Sequence, residues 1–258
     1  MILVCDIDGT FWRHSDRNFE AYKKNVAAAK RWREAGHQLI LATGRGILSM
    51  RRSFSDAPEY ADYLITDNGS FTTDLSSGKL IDEIVFEPRQ IGKITAFARD
   101  LFPERLMLIS YHGYLQEYRH PLAAIGKIRA WMLDGELAEK LHDRLEQEFG
   151  SGMLQLHVER NALPSSLPWV SSDYKAFINI TPQESGKEQA LKRLIKLAKL
   201  KGDICTLGDD LNDIGMIQHF EGYAMRDSHP RLLEQINPER LVDGPAELID
   251  RLLERNKK

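Results

Sequence analysis

Residues 1–72 alternate short apolar runs with longer amphipathic ones. That alternation narrows the possible folds sharply. Residues 1–7, "MILVCDI", form an apolar run without polar alternation, the signature of a strand buried on both faces of a parallel sheet. Residues 18–35 place Phe19, Tyr22, Val26, Ala29 and Trp32 at helical spacing, with Gly36 as a C-cap. "HQLILATGR" is a second apolar strand running into a glycine turn. Residues 46–55 read as helix, and "DYLITDNGS" as a third strand meeting a turn. Strand, helix, strand, helix, strand predicts an α/β chain. Its core is expected to be Rossmann-like and three-layered, with a parallel sheet between helices.

The rhythm breaks near residue 72. "FTTDLSSGKLIDEIVF" reads as a hairpin turning at Ser76-Ser77-Gly78. A helix is expected at 88–101, strands around 105–119, a long helix over 123–149, and strands near 153–159 and 173–181. Alternation returns at residue 182. "SGKEQALKRLIKLAKL" is a helix, "DICTLGDD" a strand, "NDIGMIQHF" a helix, "GYAMRD" a strand and "GPAELIDRLLERN" a helix. The expected organisation is a discontinuous core, 1–72 with 182–258, interrupted by an α+β domain at 73–181.

Bulk properties exclude several classes. The 258 residues carry a formal net charge of -3, so neither nucleic acid nor an anionic membrane is an expected partner. No apolar stretch approaches the roughly 20 residues of a membrane helix. No leader sequence fits ahead of the first strand. The 2 cysteines, Cys5 and Cys205, lie in apolar runs and read as buried thiols, not a disulfide framework. A reducing, cytoplasmic setting is expected. Oligomeric state is expected to be monomer or small homo-oligomer.

In an open parallel sheet, ligands bind at the carboxyl ends of the strands. The first strand ends in Asp6-Ile7-Asp8-Gly9-Thr10, and the second in Ala42-Thr43-Gly44-Arg45. The third ends in Thr66-Asp67-Asn68-Gly69, and the strand at 203–208 runs into Asp209-Asp210-Leu211-Asn212-Asp213. Lys187 opens the helix leading to that last strand. Asp6 and Asp8, two apart, point the same way from a strand. Asp209 and Asp213, four apart, share a helical face. Gathered together, such carboxylates require a cation, and hard oxygen ligands suit Mg²⁺. A magnesium ion held this sparingly serves phosphate chemistry. Thr43, Gly44 and the following helix start form a phosphate cradle, and Lys187 adds a point charge. Thr43 is equally good as a helix N-cap. Arg45 reaches either substrate or a surface ion pair. Asp210 reads as a loop residue, and Asn68 as a turn residue or a site wall.

The set "DIDGT", "LATGR", "SGKEQAL" and "GDDLND", in this order, resembles the four motifs of the haloacid dehalogenase superfamily. The insert lies between the second and third motifs. With "TDNGS", "NITPQESGK" and "GDDLNDIGMI", that placement resembles the Cof-type branch with a C2 cap. The resemblance implies a phosphatase acting on a small phosphorylated metabolite, a sugar phosphate or similar. Asp6 would be the nucleophile that forms an aspartyl-phosphate, and Asp8 the acid and then the base. Mg²⁺ would be held by the Asp6 carboxylate, the Asp8 backbone carbonyl and Asp209, with Asp213 in support. Thr43 and Lys187 would hold the phosphoryl group, with Gly9, Gly44, Arg45 and Asn212 beside it. The run Met225-Arg226-Asp227-Ser228 departs from the pattern, where relatives often carry Asn-Ala.

In the insert, Tyr111, His112, Arg119, Arg160, Trp169, Tyr174 and Lys175 are the candidates for substrate choice. The alternative reading is a phosphomutase of the same scaffold acting on a hexose phosphate. A phospho-accepting receiver would have neither the large insert nor the second acid of the Asp6–Asp8 pair. A dinucleotide-binding domain is excluded because no G-x-G-x-x-G follows the first strand.

Overall fold

The structure, a computed structural model, describes residues 1–255 apart from 14, 17–18, 102–104, 116–123, 133–134, 150–153 and 161–175. Along the chain the first elements are β1 (Ile2–Asp6), α1 (Glu20–Glu34), β2 (Gln38–Ala42), α2 (Ile47–Ser53), β3 (Tyr63–Thr66), β4 (Phe71–Asp74) and β5 (Lys79–Glu83). Then come α3 (Pro88–Leu101), β6 (Arg105–Ser110), β7 (Gly113–Leu115), β8 (Ile125–Met132), α4 (Gly135–Phe149), β9 (Leu154–Arg160) and β10 (Ala176–Pro182). The last are α5 (Lys187–Leu197), β11 (Ile204–Gly208), α6 (Ile214–His219), β12 (Glu221–Met225), α7 (Pro230–Leu233), β13 (Leu241–Val242) and α8 (Pro245–Arg255).

These elements form two compact units. One comprises residues 1–45, 49–82 and 186–258; the other comprises 46–48 and 83–185. The first holds an eight-stranded sheet in the order β13-β12-β11-β1-β2-β3-β4-β5. Its pairs from β13 to β3 are parallel. β4 returns antiparallel beside β3, with Ile65 opposite Thr72. The sequence reading placed the hairpin after residue 72 in the insert. Here that hairpin continues the first unit's sheet, because its turn folds back locally: the Asp74 carboxylate accepts the backbone N–H of Ser76 at 2.8 Å.

Side-chain alternation along β1 prepares the site. Ile2 and Val4 pack with Ile40, Ala42 and Ile65 against Ala190, Leu191 and Leu194 of α5 and Met216 and Ile217 of α6. Asp6 continues the Ile2–Val4 series at the same spacing of two. The buried residues of α5 are Lys187, Ala190, Leu191 and Leu194, one stripe at helical spacing. Its first member is a lysine instead of a hydrophobe. A buried lysine at the head of an apolar stripe thus faces the sheet side from which Asp6 emerges.

α1 buries Ala28, Ala29 and Trp32 and lies beside α8. The Trp32 indole N–H donates to the Gln38 carbonyl at 2.8 Å, so the largest buried ring leaves no polar atom unsatisfied.

The second unit has a five-stranded sheet, β7-β6-β8-β10-β9, with antiparallel pairs throughout. Its core joins Ile91 and Ile94 of α3 with Ala138, Leu141 and Leu145 of α4 against Leu108, Ile128, Ala130, Ile178 and Ile180. The single helix expected over 123–149 is corrected: its first half is β8, and only Gly135–Phe149 is helical. β8 is the middle strand, bonded to β6 on one edge and β10 on the other. Two ladders outweigh the weak helical preference of "IGKIRAWM". No described helix is long and apolar enough to cross a membrane.

Candidate active site

The expected core residues gather at the carboxyl ends of β11, β1, β2 and β3, which are adjacent in the sheet. At their centre, the Lys187 ammonium donates to Asp6 Oδ1 at 2.5 Å and to Asp213 Oδ1 at 2.7 Å. All three side chains are almost fully removed from solvent. Burial acts against the Lys187 charge, but the Asp213 and Asp6 carboxylates together outweigh it and hold the ammonium above its usual range. Asp6 is pushed well up, first by burial. Lys187 opposes this, and the carboxylates of Asp213, Asp209 and Asp8 add to it.

Asp209 carries the third nearby carboxylate. Its Oδ1 accepts from Thr10 Oγ1 at 2.6 Å. Its pKa is pushed up to about 7, by burial first and then by Asp213. Each of Asp6, Asp209 and Asp213 offers a carboxylate oxygen, and the three lie within 4.8 Å of one another. One ammonium among three carboxylates leaves two negative charges uncompensated. A divalent cation fits that deficit, and an all-oxygen donor set suits Mg²⁺. Asp213 has both oxygens in use: Oδ2 accepts the backbone N–H groups of Asp209 and Asp210 at 3.1 and 3.2 Å. It shapes the turn more than it offers a vacant ligand atom.

Asp8 lies just past the end of β1, outside the strand that carries Asp6. Its carboxylate turns to Arg45, which donates through Nε to Oδ2 at 2.7 Å and through Nη2 to Oδ1 at 2.5 Å. The Arg45 guanidinium lies 5.1 Å from the Trp12 ring centre and 5.2 Å from that of Phe54. Arg45 is thus in an ion pair, with an acid of the site itself as its partner. Phe11 is buried and stacks on Tyr60 at 5.4 Å, while Trp12 meets Phe54 edge-on at 6.1 Å.

Thr43 is buried, and its hydroxyl accepts the Arg45 N–H at 3.1 Å. Its own N–H is taken by the Ile65 carbonyl at 2.9 Å. Any phosphate contact from Thr43 therefore comes from its hydroxyl. Gly9 has φ +91°, and an added Cβ would stand 2.1 Å from Asp209 Oδ2. Gly9→Ala is expected to lower stability by about 1–3 kcal/mol and to displace Asp209, which urea unfolding and a paired activity assay would register. At Gly44 an added Cβ would stand 2.9 Å from Asn68 Oδ1. Asn212 donates to that same oxygen at 3.2 Å, and its own Oδ1 lies 3.5 Å from the Lys187 ammonium.

Asn68 is the residue whose importance sequence reasoning left open. It sits at φ +55°. Its N–H donates to the Thr43 carbonyl at 3.1 Å, and its carbonyl accepts from Gly186 at 2.6 Å, one residue before Lys187. With the Asn212 contact, one side chain and its backbone tie three motifs together. The signal was an Asn-Gly pair directly after an apolar strand, which marks positive φ but not the partners.

The divergent Met225–Ser228 run also has a place. Asp227 accepts from Arg13 Nη2 at 2.9 Å, and the His229 N–H donates to the Asp209 carbonyl at 2.8 Å. Among the insert candidates, Tyr111 is buried and His112 exposed after β6, their rings 5.4 Å apart. Arg160 closes β9. Arg119, Trp169, Tyr174 and Lys175 lie outside the described residues.

A family model described as haloacid dehalogenase-like hydrolase matches residues 3–237. No curated protein sequence gives a match. Several solved structures resemble the chain over nearly its whole length. A haloacid dehalogenase-like hydrolase from B. subtilis is 16% identical, with 97% of this chain and 99% of that one covered and a TM-score of 0.76. A HAD/COF-like hydrolase from Plasmodium vivax is 15% identical, with 98% and 95% covered and a TM-score of 0.74. A protein from Bacteroides thetaiotaomicron, described among phosphatases of the haloalkanoate superfamily, is 18% identical, with 98% and 94% covered and a TM-score of 0.71. At these identities the likeness is one of fold.

Proposed function

Given that the chain belongs to the haloacid dehalogenase-like hydrolases, of Cof type, we propose that it is a Mg²⁺-dependent phosphatase of small phosphorylated metabolites. The observation that carries this reading is the buried Asp6–Lys187–Asp213 chain beside Asp209 at the sheet's carboxyl edge. Such a cluster attracts one cation and, through it and Lys187, a phosphate dianion.

Asp6 and Asp209 would hold the metal, supported by Asp213 and the Asp8 carbonyl. When bound, Mg²⁺ neutralises charge on the transferring phosphoryl group and on the acids around it.

The chain's own residues supply the rest. Asp6 Oδ1 is anchored by Lys187, which leaves Oδ2 to attack phosphorus. The bond from phosphorus to the ester oxygen breaks as the Asp8 carboxyl passes its proton to that oxygen, releasing an alcohol. Water then attacks the aspartyl-phosphate and gives its proton to Asp8. The bond from Asp6 to phosphorus breaks, and inorganic phosphate leaves with both side chains restored. Thr43 and Lys187 hold the phosphoryl oxygens through both steps.

Phosphate release from a panel of sugar, nucleotide and cofactor phosphomonoesters is the test. Activity is expected with Mg²⁺ and is expected to vanish with a chelator. No release from any ester in the presence of Mg²⁺ would overturn the reading. Isomerised ester in place of free phosphate would identify a mutase.

A further inference from the structure

We propose that Arg45 is a positioning residue for Asp8, and that it acts on the leaving group and not on the phosphoryl group. This inference rests on the phosphatase reading above. Asp8 stands at the start of a turn in which Gly9 N–H donates to the Trp12 carbonyl at 2.9 Å and Trp12 N–H to the Ile7 carbonyl at 2.8 Å. That turn fixes the Asp8 backbone but not its side-chain torsions, and the carboxylate is about one-third exposed. A general acid with free torsions spends little time aimed at its target.

Arg45 removes that freedom. Two parallel N–H···O bonds fix the plane of the carboxylate as well as its position, which a single bond cannot do. Arg45 is itself held at both ends: its backbone N–H donates to Thr43 Oγ1 and its backbone carbonyl accepts the Asp67 N–H at 2.9 Å, while its guanidinium lies 5.1 Å from the Trp12 ring centre and 5.2 Å from that of Phe54. Phe54 in turn packs on Tyr22 at 5.8 Å, and Tyr22 bonds to Asp56 and Tyr60 through its hydroxyl. The aromatic pair that follows the two acids, Phe11 and Trp12, thus belongs to the support of the second acid. The fork thus holds the Asp8 carboxylate in one orientation. The fork of Arg45 bears on the side chain that moves the proton.

Leaving-group dependence tests this. An alkoxide needs a proton as it departs, whereas p-nitrophenolate leaves without one. Arg45→Met is expected to lower kcat/KM on an alkyl phosphate by the order of 10²-fold. The loss on p-nitrophenyl phosphate should be far smaller, with inhibition by inorganic phosphate unchanged. Arg45→Lys keeps the charge but loses the fork, so it should recover little. Trp12→Leu, which leaves both charges in place, should lose about 2–5-fold on the alkyl ester alone. Thermal unfolding of each variant separates these losses from misfolding. Asp8→Asn serves as reference and should show the same discrimination between esters.

Equal losses on both esters, with weakened inhibition by phosphate, would show that Arg45 holds the phosphoryl group and would overturn the proposal. Full recovery by Arg45→Lys would overturn it as well. The alkyl phosphate is chosen from the esters that the wild type hydrolyses; wild-type protein that releases phosphate from no ester of the panel overturns the phosphatase reading itself, and this inference falls with it.

Discussion

Replacing Asp6 by Asn is expected to lower turnover by at least about 10³-fold while leaving the magnesium-free fold no less stable than wild type. The first half follows from chemistry: the amide is not a nucleophile. Rate loss is measured as phosphate release under saturating ester. The second half follows from the field around Asp6. Its folded pKa lies above the unfolded one, because burial and three carboxylates outweigh Lys187. A carboxyl raised in this way favours folding while protonated, and that contribution disappears as pH rises through its folded value. At neutral pH the ionised form is the costly one, and Asn removes that cost. Comparing thermal midpoints of the two proteins in chelator tests it. A variant clearly less stable than wild type would mean that the Lys187 bridge, and not the crowding of acids, dominates. Added Mg²⁺ should raise the midpoint of wild type more than that of the variant, since one ligand has gone.

Lys187→Met is expected to have the opposite profile, losing both activity and stability. Methionine matches the stem in length and keeps the apolar stripe of α5 continuous. What disappears is the buried ammonium that bonds Asp6 and Asp213 beside Asp209. Removing one partner from a buried ionic group leaves the others unpaired, at about 3–5 kcal/mol. Urea unfolding in chelator reads that loss directly. Mg²⁺ should restore part of the stability, because it also neutralises the carboxylates. Activity should stay at least about 10²-fold down even at saturating Mg²⁺, since the anchor of Asp6 Oδ1 is missing. Recovery of full activity by metal alone would show that Lys187 is structural only.

The strands that carry the site were legible because each is a short apolar run with an acid, hydroxyl or glycine at its end. Asp6, Thr43 and Asp209 could be placed on one edge before any coordinates. Lys187 was legible only through its place in the motif order, since a lysine opening a helix otherwise reads as solvated. The Arg45–Asp8 pair was not legible. It joins residues 37 apart in sequence, and no local pattern tells a salt-bridged arginine from one reaching substrate. Nor was the slot of Trp12 and Phe54 around it, since aromatic spacing reads first as core. The β8 error has a different cause. A mixed run of eight residues, "IGKIRAWM", beside a true helix fits either period, and its two bonded neighbours decide.

The tethers at residues 82 and 186 have a consequence for how such chains diversify. Arg193 binds Asp82 at 2.7 Å and the Gly69 carbonyl at 3.0 Å, and Gly186 binds the Asn68 carbonyl. The points where the backbone departs and comes back are thereby pinned by residues of the first unit. Whatever lies between them can lengthen, shorten or be exchanged by recombination without moving Lys187 off Asp6.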